Sequence, residues 1–299
     1  MEWYWIVLIV LGCISVLIGG LYLFLIWPGN PKKCGNCSWL YKKPIAHRGY
    51  YNNKEGIIEN SISAFKRAIE KGYNIEFDIN ITKDNKVIIY HDDTFRRMFH
   101  LYKNVYDLTL SEIKELRYEN SDDEIIELKD LLKLVKGKVG LVVEFKASTP
   151  ENNARLVKEA MKHLIKYDGD YVVQSFDPRL VKLLKDQYPY IPRGQLYFLY
   201  NLKYEWRKVK NIKTFVSFIT KWLYNNKLTN FLSRPIFFDH DHRKVNNIMW
   251  RLHRLRPMIV FTVKNERDYK KIKHKVDNII FENLDLNLQG EIIKNKENV

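Results

Sequence analysis

Eight short apolar segments with the residue types of β-strands recur along the chain, and helical patterns or longer connections separate them. They lie at residues 44–49, 73–82, 139–146, 171–176, 193–199, 235–241, 258–263 and 276–283. Strands that alternate with helices are typical of parallel sheets, because each crossover must return the chain to the same edge. Eight such units in about 250 residues match a closed barrel. The sequence therefore predicts an α/β fold, a (β/α)8 or TIM barrel.

One more strand-like segment interrupts this alternation. Residues 86–93, KVIIYHDD, follow the strand at 73–82 after a turn too short for a helical crossover, which predicts an extra antiparallel strand in a hairpin. Two long connections also stand out. Residues 95–130 predict two short helices. Residues 200–234 carry aromatic residues and lysines, which predict either a barrel helix with an enlarged loop or a helix on a membrane surface.

The N-terminal region contains a long segment without charge. Residues 3–27 would form an apolar helix of about 37 Å with tryptophans near both ends, which predicts a single transmembrane helix. A cleaved signal peptide is the alternative, but it needs a positive leader and a shorter apolar stretch, and the apolar sequence continues well beyond Cys13. We therefore expect a membrane anchor at residues 1–28, a linker at 29–43 and a barrel domain at 44–299.

Positive charge follows this segment and continues through the chain. Lys32, Lys33, Lys42 and Lys43 come after the predicted span and no basic residue comes before it, so we expect a single-pass protein whose barrel faces the cytoplasm. The net charge of +15 is suited to an anionic membrane surface, although a solvated lysine-rich surface explains it equally well. We find no nucleic-acid-binding signature and no sign of a protein partner.

Charged and titratable residues lie at the carboxyl ends of the first predicted strands, where barrels of this type carry their active sites. Glu76 and Asp78 are two residues apart, so both point to one side of a strand, and Glu144 ends the next parallel strand. Each acid alone could form a surface salt bridge. Three carboxylates that meet at a barrel mouth instead indicate a divalent cation, and their oxygen ligands favour Mg²⁺ or Ca²⁺.

Two histidines and two cations belong to the same predicted mouth. Imidazole groups in general titrate near neutrality, so histidines such as His47 and His91 are suited to take and give a proton in one reaction. Arg48 and Lys146 are suited to bind an anionic group such as a phosphate. These residue types together indicate phosphoryl transfer.

The segments AHRG, ENSISAF, EFDINITKDNKVIIYHDD, VVEFK and VVQSF resemble the glycerophosphodiester phosphodiesterase family over about residues 44–285. This resemblance implies a (β/α)8 barrel and a metal-dependent enzyme. It implies the following roles: catalysis for His47 and His91, metal binding for Glu76, Asp78 and Glu144, phosphate contacts for Arg48 and Lys146, and a brace for the first loop at Glu59.

The chain departs from the family pattern near its end. Phe261 to Lys264 read FTVK where relatives usually have WTVN, and residues 281–284 read FENL where relatives usually have the closing Thr-Asp-x-Pro. We predict that Phe261 contacts the alcohol part of the substrate. The alternating residues Asp239 to His242 predict either a second metal site or a strand end near the mouth with one residue that contacts substrate.

The resemblance implies hydrolysis of glycerophosphodiesters to an alcohol and sn-glycerol 3-phosphate. The predicted anchor and the aromatic segment 200–234 leave open a lysophospholipase D that acts on lysophospholipids at the membrane. A barrel that binds lipid without catalysis is the third possibility, and the presence of all five predicted catalytic and metal-binding residues argues against it.

Overall fold

A computed structural model of the protein describes residues 2–244 and 256–291. Eight parallel strands form a closed barrel in the order β1-β2-β4-β5-β6-β7-β8-β9, and β1 pairs with both β2 and β9. This confirms the predicted (β/α)8 barrel. Residues 245–255 and 292–299 of the predicted domain 44–299 lie outside the described residues. The strands are β1 (Ile45–His47), β2 (Asn74–Ile81), β3 (Val87–Ile89), β4 (Leu141–Phe145), β5 (Tyr171–Ser175), β6 (Arg193–Tyr197), β7 (Phe237–Asp241), β8 (Met258–Val263) and β9 (Asn278–Phe281).

The ninth strand, β3, pairs with β2 in the antiparallel direction, with Ile79 opposite Ile89 and Ile81 opposite Val87. The turn between them is too short to return the chain to the other end of the barrel, as the sequence predicts. The chain therefore runs back along β2 and leaves β3 beside Ile79, where the Tyr90 amide donates to the Asp78 carbonyl. This delivers His91 to the mouth of the barrel.

The helices follow the strands as local signals predict. Ser61 accepts a hydrogen bond from the Ala64 amide at the start of α2, and Gly72 ends that helix with a φ of 72°. Asp177 caps α7 in the same way. The α-helices are α1 (Trp3–Ile26), α2 (Ile62–Lys71), α3 (Arg96–Phe99), α4 (Leu110–Ile113), α5 (Leu128–Val135), α6 (Pro150–Leu164), α7 (Pro178–Gln187), α8 (Leu202–Arg207), α9 (Ile212–Asn225), α10 (Asn230–Ser233) and α11 (Glu266–Ile272). Short 3-10 helices lie at Pro31–Lys33, Ser38–Tyr41, Asn53–Glu55, Val105–Asp107 and His242–Lys244.

Apolar side chains fill the end of the barrel where the strands begin. Ile45, Val142, Val172, Phe237, Ile259 and Ile280 form one buried cluster there. Trp39 and Leu40, from the segment before β1, belong to the same cluster and cover this end. The space is tight, because a Cβ on Gly140 would lie 2.2 Å from the Trp39 ring. The apolar layer forms the floor beneath the polar mouth.

Helix α1 stands apart from the barrel along most of its length. Of its 24 residues only Ile26 is buried, and it contacts the body through its last turns. Asn230 donates a hydrogen bond to the Ile26 carbonyl, Arg234 donates to the carbonyls of Phe24 and Trp27, and the Gly29 amide donates to the Pro235 carbonyl. Because residues 230–235 precede β7, α1 joins the barrel at the end where the strands begin.

Candidate active site

The predicted strand-end residues surround one cavity of about 160 Å³ at the carboxyl ends of the strands. Of the predicted site residues, His47, Arg48, Glu76, His91, Glu144 and Phe261 line it. Asp78 and Lys146 lie beside it, since the Lys146 ammonium is 2.7 Å from Glu144 and 3.4 Å from Asp78. The structure thus brings all eight predicted site residues to one place. A cavity of this volume has room for a small polar group and none for a lipid tail.

The chain turns sharply after β1 to aim its polar residues at the cavity. Arg48 and Gly49 have φ values of 54° and 80°, and a Cβ on Gly49 would lie 2.9 Å from Ala64. The Arg48 amide donates to Glu76 at 3.1 Å, and its carbonyl accepts from the Asn60 amide. The Asn60 side chain in turn donates to Asp78 at 3.0 Å. Residues after Gly49 therefore loop back to support the acids of β2.

The carboxylates of Glu76, Asp78 and Glu144 are all buried, and one oxygen from each lies within 4.8 Å of the others. Adjacent strands produce this proximity, because Asp78 on β2 pairs directly with Glu144 on β4. Among residues 2–244 and 256–291, this is the one group of acids, histidines or cysteines close enough to share an ion. Its all-oxygen ligand set fits a hard divalent cation.

Electrostatics support the same interpretation. Burial would raise the pKa of Asp78, but Lys146 and Arg48 lower it well below its usual range. Burial raises the pKa of Glu76, and the charges of Asp78 and Glu144 raise it further. The two cations are therefore too few to neutralise the three acids, and a bound divalent cation would supply the missing positive charge.

Further ion pairs connect Arg48 to charged residues at the rim of the cavity. Arg48 donates to Glu59 at 2.7 Å, which is consistent with the predicted brace, and its Nε lies 3.4 Å from Asp78. Arg97 donates to the same Glu59 carboxylate at 2.6 Å and to Asp92 at 2.6 Å. Burial would raise the pKa of Glu59, but the two guanidinium groups lower it.

Each predicted catalytic histidine is held by a carboxylate. His47 Nδ1 lies 2.5 Å from Glu282, and its Nε2 lies 3.8 Å from Glu76. Burial lowers the pKa of His47, and the hydrogen bond with Glu282 opposes this shift. Burial would raise the pKa of Glu282, but His47 and the Lys264 ammonium at 2.5 Å lower it to about 2. Glu282 is therefore ionised at neutral pH.

His91 has a similar arrangement on the other side of the cavity. Its Nδ1 lies 2.5 Å from Asp92, which also accepts from Arg97. Burial would raise the pKa of Asp92, but the hydrogen bonds with His91 and Arg97 lower it to about 2. In both histidines the Nδ1 atom is occupied by a carboxylate, which leaves Nε2 for proton transfer.

The side chains from Asp239 to His242 lie in different environments. Strand β7 ends at Asp241, so the alternation does not extend to His242. His240 is buried and stacks on Tyr197 at 4.7 Å, whereas His242 lies 3.5 Å from Asp268. The two histidines do not share a site, and the possible second metal site is not present among the described residues.

Asp239, by contrast, lines the active-site cavity, as the alternative interpretation predicts. It is fully buried beside Gln174, and neither of its oxygens makes a hydrogen bond of good geometry within the described residues. Burial and the charge of Glu144 raise its pKa well above the usual range. Phe261, on the neighbouring strand β8, also lines the cavity and packs edge to face on Phe176 at 5.7 Å.

Three residues of the site were not predicted as functional candidates from the sequence: Asp92, Arg97 and Glu282. Asp92 directly follows His91 and could have been found by adjacency. Arg97 carries no local signal. Glu282 stands at the Asp position of the closing Thr-Asp-x-Pro element, but its contact with a histidine 235 residues earlier in the chain could not be predicted from that element.

Comparisons with known proteins agree with this geometry. A family model described as the glycerophosphoryl diester phosphodiesterase family matches residues 47–286. A glycerophosphodiester phosphodiesterase from Caldanaerobacter subterraneus is 31% identical over 164 residues, which are 51% of this chain and 65% of that relative. The aligned part thus spans slightly less than two thirds of the curated relative.

Solved structures share the fold. A glycerophosphodiester phosphodiesterase from Thermotoga maritima superposes with a TM-score of 0.57 at 25% identity, covering 79% of this chain and 92% of that one. An Oleispira antarctica phosphodiesterase, solved in complex with the product sn-glycerol-3-phosphate, superposes with a TM-score of 0.61 at 17% identity, covering 80% and 92%. Since the family model spans residues 47–286 of 299, which include every residue of the cavity, this chain belongs to the glycerophosphoryl diester phosphodiesterase family.

Proposed function

We propose that the chain hydrolyses glycerophosphodiesters to an alcohol and sn-glycerol 3-phosphate. One observation carries this proposal: His47 and His91, each held by a carboxylate through Nδ1, line the same small cavity as two of the three clustered acids. Family membership and the product bound to the Oleispira antarctica phosphodiesterase support it. The cavity volume of about 160 Å³ suits a glycerophosphate group.

In the proposed reaction, His47 removes a proton from the attacking hydroxyl, which is either water or a neighbouring hydroxyl of the substrate. In the second case a cyclic phosphodiester forms first, and water then opens it to give sn-glycerol 3-phosphate. Ionised Glu282 keeps the other proton on Nδ1, so Nε2 is the basic nitrogen. The hydroxyl oxygen forms a bond to phosphorus, and the bond from phosphorus to the alcohol oxygen breaks. His91 donates a proton to that departing oxygen while Asp92 holds the imidazole in position.

The charged residues would bind and orient the phosphate. Arg48 and Lys146 are suited to contact its non-bridging oxygens once substrate enters. Glu76, Asp78 and Glu144 would hold Mg²⁺ or Ca²⁺, and such an ion, when bound, polarises the phosphoryl group and offsets the charge on its oxygens. In the same proposal, Phe261 contacts the alcohol part of the substrate.

The test is an assay of the full chain with glycerophosphocholine, with sn-glycerol 3-phosphate as the measured product. His91→Ala should lower turnover by two to four orders of magnitude, the usual contribution of a general acid. His100→Ala is the matched control, because His100 is exposed and lies outside the cavity. Equal activity of the two variants would refute the assignment.

We also propose that residues 1–28 anchor the barrel domain 44–299 to a membrane through the linker 29–43, with the barrel in the cytoplasm. Helix α1 supports the anchor, since it has 24 residues, a rise of about 36 Å and no charge. A signal sequence would satisfy the same criteria of length and composition. Retention of the chain in carbonate-washed membranes, with the barrel protected from external protease, is the expected result.

A lysophospholipase D is the second candidate. Exposed aromatic side chains directly follow β6 at the mouth and continue along α8 and α9: Phe198, Tyr200, Tyr204, Trp206, Phe215 and Trp222. Such a surface could hold an acyl chain outside the small cavity. A ratio of kcat/KM for lysophosphatidylcholine over glycerophosphocholine well above one would favour this candidate, and a ratio below one would favour the water-soluble substrate.

A further inference from the structure

A second and larger cavity, of about 690 Å³, lies at the opposite end of the barrel from the active site. The last turns of α1 form one wall with Leu23, Phe24 and Trp27. The other walls come from the segment after α1 and from residues at the beginnings of β6, β7 and β8. One side of this cavity is therefore apolar and continuous with α1, and the other belongs to the catalytic body.

The lining of this cavity is strongly basic. It includes Lys33, Lys185, Arg193, Arg234 and Arg256, and no acidic residue is among the lining residues in the described part of the chain. Beside the cavity, the carboxylate of Asp186 lies 3.4 Å from Lys185, but it is half exposed and also pairs with Lys182. This one carboxylate does not balance the positive charges of Lys33, Lys185, Arg193 and Arg234.

Backbone carbonyls accept hydrogen bonds from three of these cations, Lys185, Arg193 and Arg234. Arg193 donates to the carbonyls of Ser233 and Pro189, and Lys185 donates to the Leu232 carbonyl. Arg234 donates to the carbonyls of Phe24 and Trp27. Carbonyl groups carry no formal charge, so an anion that enters the cavity meets preoriented donors and a positive potential. Burial lowers the pKa of both Arg193 and Arg234, and at Arg193 this effect exceeds the opposing effects of Cys34 and Asp186.

The basic and apolar walls of the cavity together indicate which kind of anion fits it. A free phosphate would use the cations and gain nothing from Leu23, Phe24 and Trp27. A phospholipid presents a phosphate together with acyl chains, and α1 offers an exposed apolar surface that runs away from the cavity. Trp27 is half exposed at the point where α1 meets the basic walls, and tryptophan is common at the headgroup level of membranes.

We propose that this cavity binds the phosphate headgroup of an anionic phospholipid whose acyl chains lie along α1. The site is separate from the catalytic cavity and is not a substrate site. The inference rests on the proposed membrane anchor, and it is independent of the proposed hydrolysis. A lipid bound here would fix the barrel relative to the bilayer, because it would contact α1 and the strand beginnings at the same time.

The test uses the full chain in a neutral detergent and follows its thermal unfolding during titration with dihexanoyl-phosphatidylglycerol. Dihexanoyl-phosphatidylcholine and inorganic phosphate are titrated in parallel. We expect phosphatidylglycerol to raise the unfolding temperature at concentrations at least tenfold below those at which the other two act. An equal response to inorganic phosphate, or an equal response to the zwitterionic lipid, would overturn the proposal.

Paired charge variants locate the binding. The double variant Lys33→Gln, Lys185→Gln removes two cavity charges whose side chains are not buried, and it should weaken the phosphatidylglycerol response roughly tenfold to thirtyfold. The matched control Lys32→Gln, Lys182→Gln removes the same charge from the same two segments outside the cavity and should change the response less than threefold. Identical titrations of the two double variants would overturn the proposal.

Failure of the proposed lipid site can be distinguished from failure of the proposed hydrolysis and of the proposed anchor. Both double variants should hydrolyse glycerophosphocholine at the wild-type rate, because their residues lie at the far end of the barrel. Loss of the chain from carbonate-washed membranes would refute the anchor, while the titration in detergent reports on the cavity directly.

Discussion

Glu282 provides the sharpest test of the site, because its partner His47 lies 235 residues earlier in the chain. Its carboxylate accepts a hydrogen bond from His47 Nδ1 at 2.5 Å, and its side chain is 4% exposed. The substitution Glu282→Gln keeps the shape of the side chain and removes its charge. Since the pKa of Glu282 is about 2, the substitution removes a charge at every pH at which the enzyme can be assayed.

The expected magnitude follows from this hydrogen bond. A buried hydrogen bond to a charged group contributes about 1.5–3 kcal/mol, and each 1.36 kcal/mol corresponds to about a tenfold change in rate. As His47 gains positive charge in the reaction, the loss should fall on the transition state. We therefore expect Glu282→Gln to lower kcat roughly 10-fold to 100-fold and to leave KM within a few fold.

The assay measures kcat, KM and the pH profile with glycerophosphocholine. Burial lowers the pKa of His47 and Glu282 raises it, so loss of the carboxylate should lower that pKa further. A base must be deprotonated to act, so the acid limb of kcat/KM should move to lower pH. Lys264→Gln is the control, because Lys264 is 57% exposed and exposed ion pairs contribute little, and kcat should change less than threefold. A Glu282→Gln enzyme with unchanged kcat and an unmoved acid limb, beside an inactive His47→Ala enzyme, would refute this reasoning.

Three further predictions concern the ion, the first turn and a buried lysine. EDTA should abolish hydrolysis, and Mg²⁺ or Ca²⁺ should restore it in a rate assay; restoration by Zn²⁺ alone would contradict an all-oxygen site. Gly49→Ala should lower the free energy of unfolding by about 2 kcal/mol or more in urea titrations, because φ is 80° and the new methyl group would press on Ala64. Burial lowers the pKa of Lys227 from 10.5 to about 8. Between pH 8 and 10.5 the unfolded state therefore binds more protons than the folded state. The free energy of unfolding of the wild-type protein should rise by about 2 kcal/mol from pH 8 to 10 relative to that of Lys227→Met. Parallel curves of this free energy against pH for the two proteins would contradict this.

The fold could be predicted from the sequence because the sequence patterns that indicate its strands and helices are local. Each barrel strand is a short apolar segment, and signals such as the Ser61 cap and Gly72 mark the ends of helices. The antiparallel strand β3 was predictable from the length of one turn. The outcome at His242 shows the limit of this reasoning, since side chains alternate between faces only within a strand and β7 ends at Asp241.

The acids of the site were predictable for a related reason. Glu76, Asp78 and Glu144 interrupt apolar strands, where an uncompensated charge is costly, and the register of adjacent strands then brings them together. Contacts formed by closure of the barrel were not predictable. Glu282 reaches His47 only because β9 pairs with β1, and Arg97 reaches Glu59 across the long connection after β3.

The attachment point of α1 has a consequence for how such an enzyme meets its substrate. In the proposed membrane-anchored arrangement, the helix leaves from the floor and the mouth of the barrel faces the aqueous phase. The site residues His47, Glu144 and Asp239 stand two residues beyond the floor residues of the same strands, about 7 Å farther from the membrane side. Diesters dissolved in the surrounding water then diffuse into the mouth unhindered. In this arrangement a lysolipid in the same leaflet must leave the bilayer before it can enter the mouth. The barrel would then bind lysolipid monomers from solution rather than lysolipids within the membrane.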